Sequence, residues 1–130
     1  MAFTNDLYHP MLAAAADTAV EASLHAADDP DEPDPEGEDE ISGGDYERQE
    51  ISWDSPSGGA VVVDDEIVFL VPSLGSDEVT HVGLWNSSGD WLGPARASTP
   101  QPFPTAGTAT VSPLTLDMAT GTLAAHITST

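Results

Sequence analysis

The chain has no cysteine, and its 130 residues carry only two basic side chains, Arg48 and Arg96, besides four histidines. The lack of thiols excludes a disulfide framework, a thiolate zinc site and a thiol nucleophile. The lack of Lys and Arg leaves nothing to neutralise phosphates, so nucleic acid is excluded as a partner and an anionic membrane surface would repel the chain. Apolar runs are only a few residues long, too short for a transmembrane helix. No basic region followed by an apolar stretch is visible, so no secretory signal is expected and synthesis is cytoplasmic. Aromatic residues are few as well: three Trp, three Phe and two Tyr.

Acid is what the chain has in excess. Asp and Glu total 23, and the formal net charge is −21. Asp28 to Glu40 reads DDPDEPDPEGEDE, in which nine of thirteen residues are acidic and the rest are Pro or Gly. Such a run has no apolar residue to bury and its prolines stop a helix, which predicts an extended, solvated loop. Outside the run fourteen acids still face two arginines, so the imbalance belongs to the folded part too. Charge of this size destabilises a compact state unless salt screens it. At about 1 M ionic strength the Debye length is roughly 3 Å, short enough to suppress most of the repulsion. The composition fits a halophilic setting, with an ordinary acidic surface as the alternative.

Turn residues punctuate short apolar segments every eight to twelve residues. Residues 1–17 predict a short N-terminal helical or docking segment, LYHPMLAAAA, apolar on Leu7, Tyr8, Met11 and Leu12. Residues 18–130 predict one β domain, with the acidic loop at 28–40. TAVEASLH reads as a first strand with Val20, Ala22 and Leu24 on one face. In DYERQEISW the apolar parity switches, which suggests a bulge near Glu50. AVVV and EIVFLV are either a tight hairpin or one bent strand. VTHVGLWN is the clearest strand, with Val82 and Leu84 facing one way, His81 and Trp85 the other, and Gly83 where a neighbour approaches closely. SSGD marks a hairpin. STPQPFPTAG is expected to be irregular, and the C-terminal segments to supply two or three closing strands. The expected fold is all-β, an antiparallel β-sandwich of jelly-roll-like kind with the short N-terminal helix.

No motif for chemistry is complete. The acidic run misses calcium-loop spacing, because Pro30, Pro33 and Pro35 interrupt it and Gly37 comes after most of the acids. His9, His25, His81 and His126 show no zinc spacing, and His81 reads as a packed strand histidine rather than a ligand. No GxSxG elbow surrounds a serine, and neither GxGxxG nor a phosphate loop occurs. Asn86-Ser87-Ser88 fits a glycosylation sequon but reads better as turn chemistry. Trp53, Trp85 and Trp91 offer a sugar-stacking platform, with Trp91 the candidate glycan contact; core or interface packing is the competing reading. These readings predict no catalytic residue, no metal, no cofactor and no enzyme.

EASLHAADDP, EISGGDYERQEISW and the stretch from Val79 to Met118 together resemble a small virion protein family of tailed viruses, usually labelled tail fibre protein or minor structural protein. In that family a strand ending in a Leu-His-Thr-Ala-Asp-like sequence, here around Leu24 and His25, leads into a loop. The family's Glu-Val-Ser-Gly-Gly-x-Tyr-x-Arg-Gln motif is matched by Glu40, Ile41, Ser42, Gly43, Gly44, Tyr46, Arg48 and Gln49. Its Val-Thr-His-x-Gly-Ile-Trp strand is matched by Val79 to Asn86, with His81, Gly83 and Trp85 at the motif positions. A Leu-Gly pair followed by Thr-Pro is matched by Leu92, Gly93, Thr99 and Pro100. The resemblance runs over residues 19–118. It departs in the acidity of the loop and in Met118 to Thr130, expected to add a strand or a partner contact.

The resemblance implies a β-sandwich that is a structural part of the virion, made in the host cytoplasm. Its partners would be further copies of itself, such as a trimer or pentamer, and major capsid or tail proteins. Capsid-surface decoration, as a head fibre or turret-like component, is the first expectation. A tail fibre or tail-associated role and a host-glycan-binding module are the alternatives. Arg48 is expected to pair with a carboxylate and tie its loop to the domain, against the competing reading of an exposed charge with little effect.

Overall fold

The computed structural model describes residues 18–29, 31–54, 60–63, 66–117 and 122–129. The expected N-terminal segment 1–17 lies outside these residues, as does most of the turn expected over 54–59.

Among the described residues eight strands form one sheet: β1 (Glu21–His25), β2 (Gln49–Glu50), β3 (Ala60–Val62), β4 (Ile67–Val71), β5 (Glu78–Trp85), β6 (Trp91–Pro102), β7 (Gly107–Asp117) and β8 (Thr122–Ser129). Their order is β2-β1-β5-β6-β8-β7-β3, with β4 also paired to β7. The sheet curls until its ends meet. Just beyond β2, Trp53 forms a bridge with Val63 at the end of β3, and β4 lies beside β2. The class is all-β, as the sequence predicts. The hydrogen bonding defines a single, nearly closed sheet and does not divide it into the two layers of a sandwich or jelly roll.

Alternation explains most of the core. Along β4, Ile67, Phe69 and Val71 point inward while Val68 and Leu70 stay exposed, the period-2 pattern of a strand with one wet face. Ala22 and Leu24 of β1, Val82 and Leu84 of β5 and Ala95 and Ala97 of β6 meet Phe69, Val111, Leu114 and Ile127 inside the curl. Val79 joins them despite its odd parity, because the β5–β6 register shifts between Val79 and His81.

β3 and β4 both run antiparallel to β7, β3 on its C-terminal half and β4 on its N-terminal half. They are one interrupted strand, not a hairpin. The break falls opposite the register shift in β7 between Val111 and Leu114, where Pro113 has no donor to give a ladder.

The Pro-rich stretch after Ala97 corrects an expectation: β6 continues through Pro100 to Pro102 and pairs with the start of β5. Successive residues of a strand send their N–H groups to opposite sides. Pro100 and Pro102 share a parity, so both missing donors fall on one side while Thr99 and Gln101 keep theirs. The C-terminal residues do add a strand, and it is not peripheral: β8 lies between β6 and β7.

Candidate functional site

The outward faces of β1 and β5 are buried, although among the described residues no second sheet covers them. Ser23 and His25 of β1 and His81, Gly83 and Trp85 of β5 are all shielded from solvent. Part of the cover is the acidic segment itself, which folds back over the sheet. His25 bridges to Glu40, and the amide of Ala26 donates to the carbonyl of Asp39. Asp34 nucleates a local turn, its Oδ1 accepting from the amides of Glu36 and Glu38 while its own amide donates to Asp39 Oδ2. Asp31 pairs with Arg96. The expectation of a solvated loop holds for most of the acids, with Asp28, Asp29, Asp31, Glu32, Glu36 and Glu38 exposed, but the path is folded back and fixed rather than extended. Prolines keep it out of helix and sheet, but Asx turns and the side chains beneath it give it a fixed path.

Gly37 seats the segment. It adopts φ 73°, and a Cβ there would meet the Trp91 ring at 2.6 Å. Only glycine suits both the left-handed backbone and the contact. Gly83 plays the same part from below, since a Cβ on it would come within 2.5 Å of Trp91 and 2.6 Å of Ser23 Oγ. Trp91 is thus packed between Gly37, Gly83 and the rings of His25 and Trp85, each at 5.0 Å.

Beneath Trp91 a chain of hydrogen bonds runs through the buried layer. Trp85 Nε1 donates to Ser23 Oγ at 2.7 Å, Ser23 Oγ lies 2.6 Å from His25 Nε2, and His25 Nδ1 lies 2.7 Å from Asp39 Oδ1. A neutral His25 with its proton on Nδ1 satisfies every group: Ser23 donates to Nε2, and Nδ1–H donates to Asp39. Burial pushes the His25 pKa below its ordinary value, outweighing the upward pull of the hydrogen bond to Asp39.

The order serine, histidine, carboxylate is that of an activated nucleophile, and the sequence reading did not foresee it. Its surroundings do not suit substrate. Ser23 has zero exposure, its oxygen already accepts from Trp85, and Gly83 and Trp91 close over it. The nearby surface groove, about 470 Å³ and lined by Asp28, Asp29, Glu32, Asp34 and Asp39 among others, does not include Ser23. Among the described residues no group of three or more His, Asp or Glu is placed to hold a metal ion. No described helix is long and apolar enough to cross a membrane.

A second cluster joins the motif residues to this layer. Arg48 grips Glu40 with two prongs, Nη2 to Oε1 at 2.9 Å and Nε to Oε2 at 3.1 Å, a geometry that adds direction to charge. Its guanidinium also lies over the Trp85 ring, 3.7 Å from the centroid. The bond to Glu40 holds Arg48 still more firmly in its charged form. Tyr46 donates its hydroxyl to Glu40 Oε2 at 2.8 Å, accepts from the Leu24 amide at 2.9 Å and stacks on Phe69. Burial raises the Tyr46 pKa well above its usual value. Glu40, the last acid of the run, thus receives both Tyr46 and Arg48.

The remaining motif positions have plainer roles. Ser42, Gly43 and Gly44 form an exposed turn, both glycines at positive φ. Gln49 pairs with Ala22 across β2 and β1. His81 is buried opposite His25, with Nδ1 2.8 Å from Thr80 Oγ1. Asn86 closes the β5–β6 turn, its side-chain oxygen accepting from the amides of Ser88 and Asp90. The structure brings Tyr46, Arg48, Gly83, Trp85 and Trp91 to one region and leaves the exposed Ser42–Gly44 turn outside it. The sequence reading missed Ser23, His25 and Asp39. The two-residue spacing of Ser23 and His25, which puts both on one strand face, was the available signal.

Residues 5–119 match the family described as podophage GP4 fiber I protein gp80. The chain belongs to this family. The tailed-virus structural reading taken from the motifs therefore holds at the level of a phage fibre protein family. No curated protein and no solved structure matches the chain.

Proposed function

We propose that the protein is a virion structural component carried on the capsid surface, a head fibre or turret-like decoration. The observation that carries this reading is the match of residues 5–119 to a podophage fibre family, in a chain whose Ser23–His25–Asp39 cluster is sealed from solvent at its serine. The family description names a fibre and not its place on the particle. Capsid rather than tail is favoured by the nearly closed sheet and by a sequence without a fibrous repeat, which suits a module used in many separate copies. Self-association follows from that use, because repeated virion sites are symmetric. The acidic surface fits a particle that works in concentrated salt.

Densitometry of purified particles tests the position. Hundreds of copies per virion support the capsid, whereas a handful would move the protein to the tail. The non-enzymatic reading has its own check. A fluorophosphonate probe should leave Ser23 unlabelled in the folded protein, and stoichiometric labelling would reopen a hydrolase reading.

Glycan binding is the weaker alternative. Of the three tryptophans, Trp85 carries Arg48 on its ring, Trp91 is packed under Gly37, and Trp53 donates Nε1–H to the Ala19 carbonyl.

A further inference from the structure

β6 and β7 are consecutive and antiparallel to one another, joined by residues 103–106, yet they do not pair. β8 stands between them, antiparallel to β7 over Ala109↔Ser129 to Asp117↔Thr122 and parallel to β6 at Arg96↔Ala124 and Ala97↔Ala125. The last described strand has therefore entered a slot whose two walls precede it in the chain. Without β8, both walls would expose unpaired main-chain donors and acceptors in mid-sheet. Ala125 and Ile127 fill the core side of the slot, both almost fully buried. On the outer side His126 meets Ser98, and at the end of the strand Ser129 donates to Gln101.

β8 also lies wholly beyond the residues that match the fibre family, which end at 119. The strand that fills the centre of the sheet is thus additional to the matched part. Most of its grip is main-chain pairing, the kind of contact an added strand makes with any open edge.

We propose that β8 is an exchangeable strand: the slot between β6 and β7 accepts residues 122–129 of a second copy, linking copies in the virion. The occupant follows from fit. A second copy's β8 brings the same Ala125 and Ile127 inward and the same seven-pair ladder with β7, so exchange loses no contact of the slot. Only the use of the link rests on the virion reading; the slot and its strand stand on geometry. A failure of exchange in the purified protein would leave the copy-number test of the virion role untouched.

The absence of native cysteine makes the test direct in the full chain. Thr110 and Thr128 are register partners on β7 and β8, neither in the core. Thr110→Cys and Thr128→Cys proteins are unfolded together, refolded at high concentration in multimolar KCl, and oxidised. The expected product is a covalent dimer joined between position 110 of one copy and position 128 of another. Mapped by mass spectrometry, this linkage should exceed the symmetric linkages about tenfold. The double variant in one chain should give disulfide-linked oligomers under the same conditions. A double variant that closes only within single chains, with no mixed dimer from the separate variants, overturns the proposal. If that pair forms no disulfide at all, Thr115→Cys with Ala124→Cys, also register partners, is read by the same outcomes.

Discussion

Glu40 receives the guanidinium of Arg48 on both carboxylate oxygens, and Arg48 in turn lies flat on the indole of Trp85. Three elements are tied at this point: the end of the acidic segment, the approach to β2 and the central strand β5. One carboxylate out of 23 acids has thus found one of the two arginines, and the pair is partly shielded from water.

Replacing Arg48 by Ala removes both the ion pair and the cation–π contact, and leaves Glu40 with only the Tyr46 hydroxyl. Exposed pairs contribute up to about 1 kcal/mol and fully buried ones cost about 3–5 kcal/mol to break. For this intermediate case we expect a loss of about 1–2 kcal/mol in urea unfolding. Arg48→Lys should recover only part of it, since a lysine cannot reproduce the two-pronged geometry. An Arg48→Ala protein as stable as the parent would remove the anchoring role.

Gly83→Ala should be more damaging than its one added methyl suggests. The new Cβ would come within 2.4 Å of His25 Nε2, 2.5 Å of Trp91 and 2.6 Å of Ser23 Oγ, well inside van der Waals contact, in a layer already closed by Gly37. Overpacking of this kind costs about 1–3 kcal/mol. Near-UV circular dichroism should show altered tryptophan bands, because Trp91 must move. An unchanged spectrum with unchanged stability would show that the layer yields freely.

The pattern of alternation was enough to read the all-β class, β5, the β5–β6 turn and the close approach at Gly83, because these depend on local spacing. What escaped depended on partners distant in sequence. Nothing local shows that β8 would enter between β6 and β7, or that Pro100 and Pro102 would sit in a strand, since the opposing strand settles both. The acidic run misled for a related reason. Its composition speaks truly of solvation for Asp28 or Glu36, whereas Asp39 and Glu40 are fixed by His25, Tyr46 and Arg48, which composition cannot see. Ser23 and His25 were within reach, two residues apart on one strand, and His25 even lies in a family motif, but nothing local joins them to Asp39.

Salt should stabilise the fold strongly. With a formal charge of −21, self-repulsion opposes the compact state, and screening at about 1 M ionic strength confines it to roughly 3 Å. Thermal unfolding followed by circular dichroism should show a midpoint higher in multimolar KCl than in dilute buffer. Equal midpoints would remove the case for a saline setting.

His25 should make stability fall as the solution is acidified. Its pKa in the folded state lies below the ordinary value of 6.5, chiefly through burial. Below pH 6.5 the unfolded chain therefore takes up a proton that the folded one refuses. Stability contributed by the neutral imidazole is fully present above that pH and is lost as pH falls toward the folded-state pKa. Structurally, a second ring proton would place Nε2–H against Ser23 Oγ, which already accepts from Trp85 and would have to redirect its own hydrogen. The groups facing His25 are Asp39 and Glu40, which favour the proton, and Arg48, which opposes it. Other acids also titrate, so the useful quantity is the difference between the parent and His25→Gln in urea unfolding at pH 7.5 and pH 5.5. The parent should lose more stability over this interval than the variant. Parallel losses in the two proteins would mean that His25 keeps its ordinary titration in the fold.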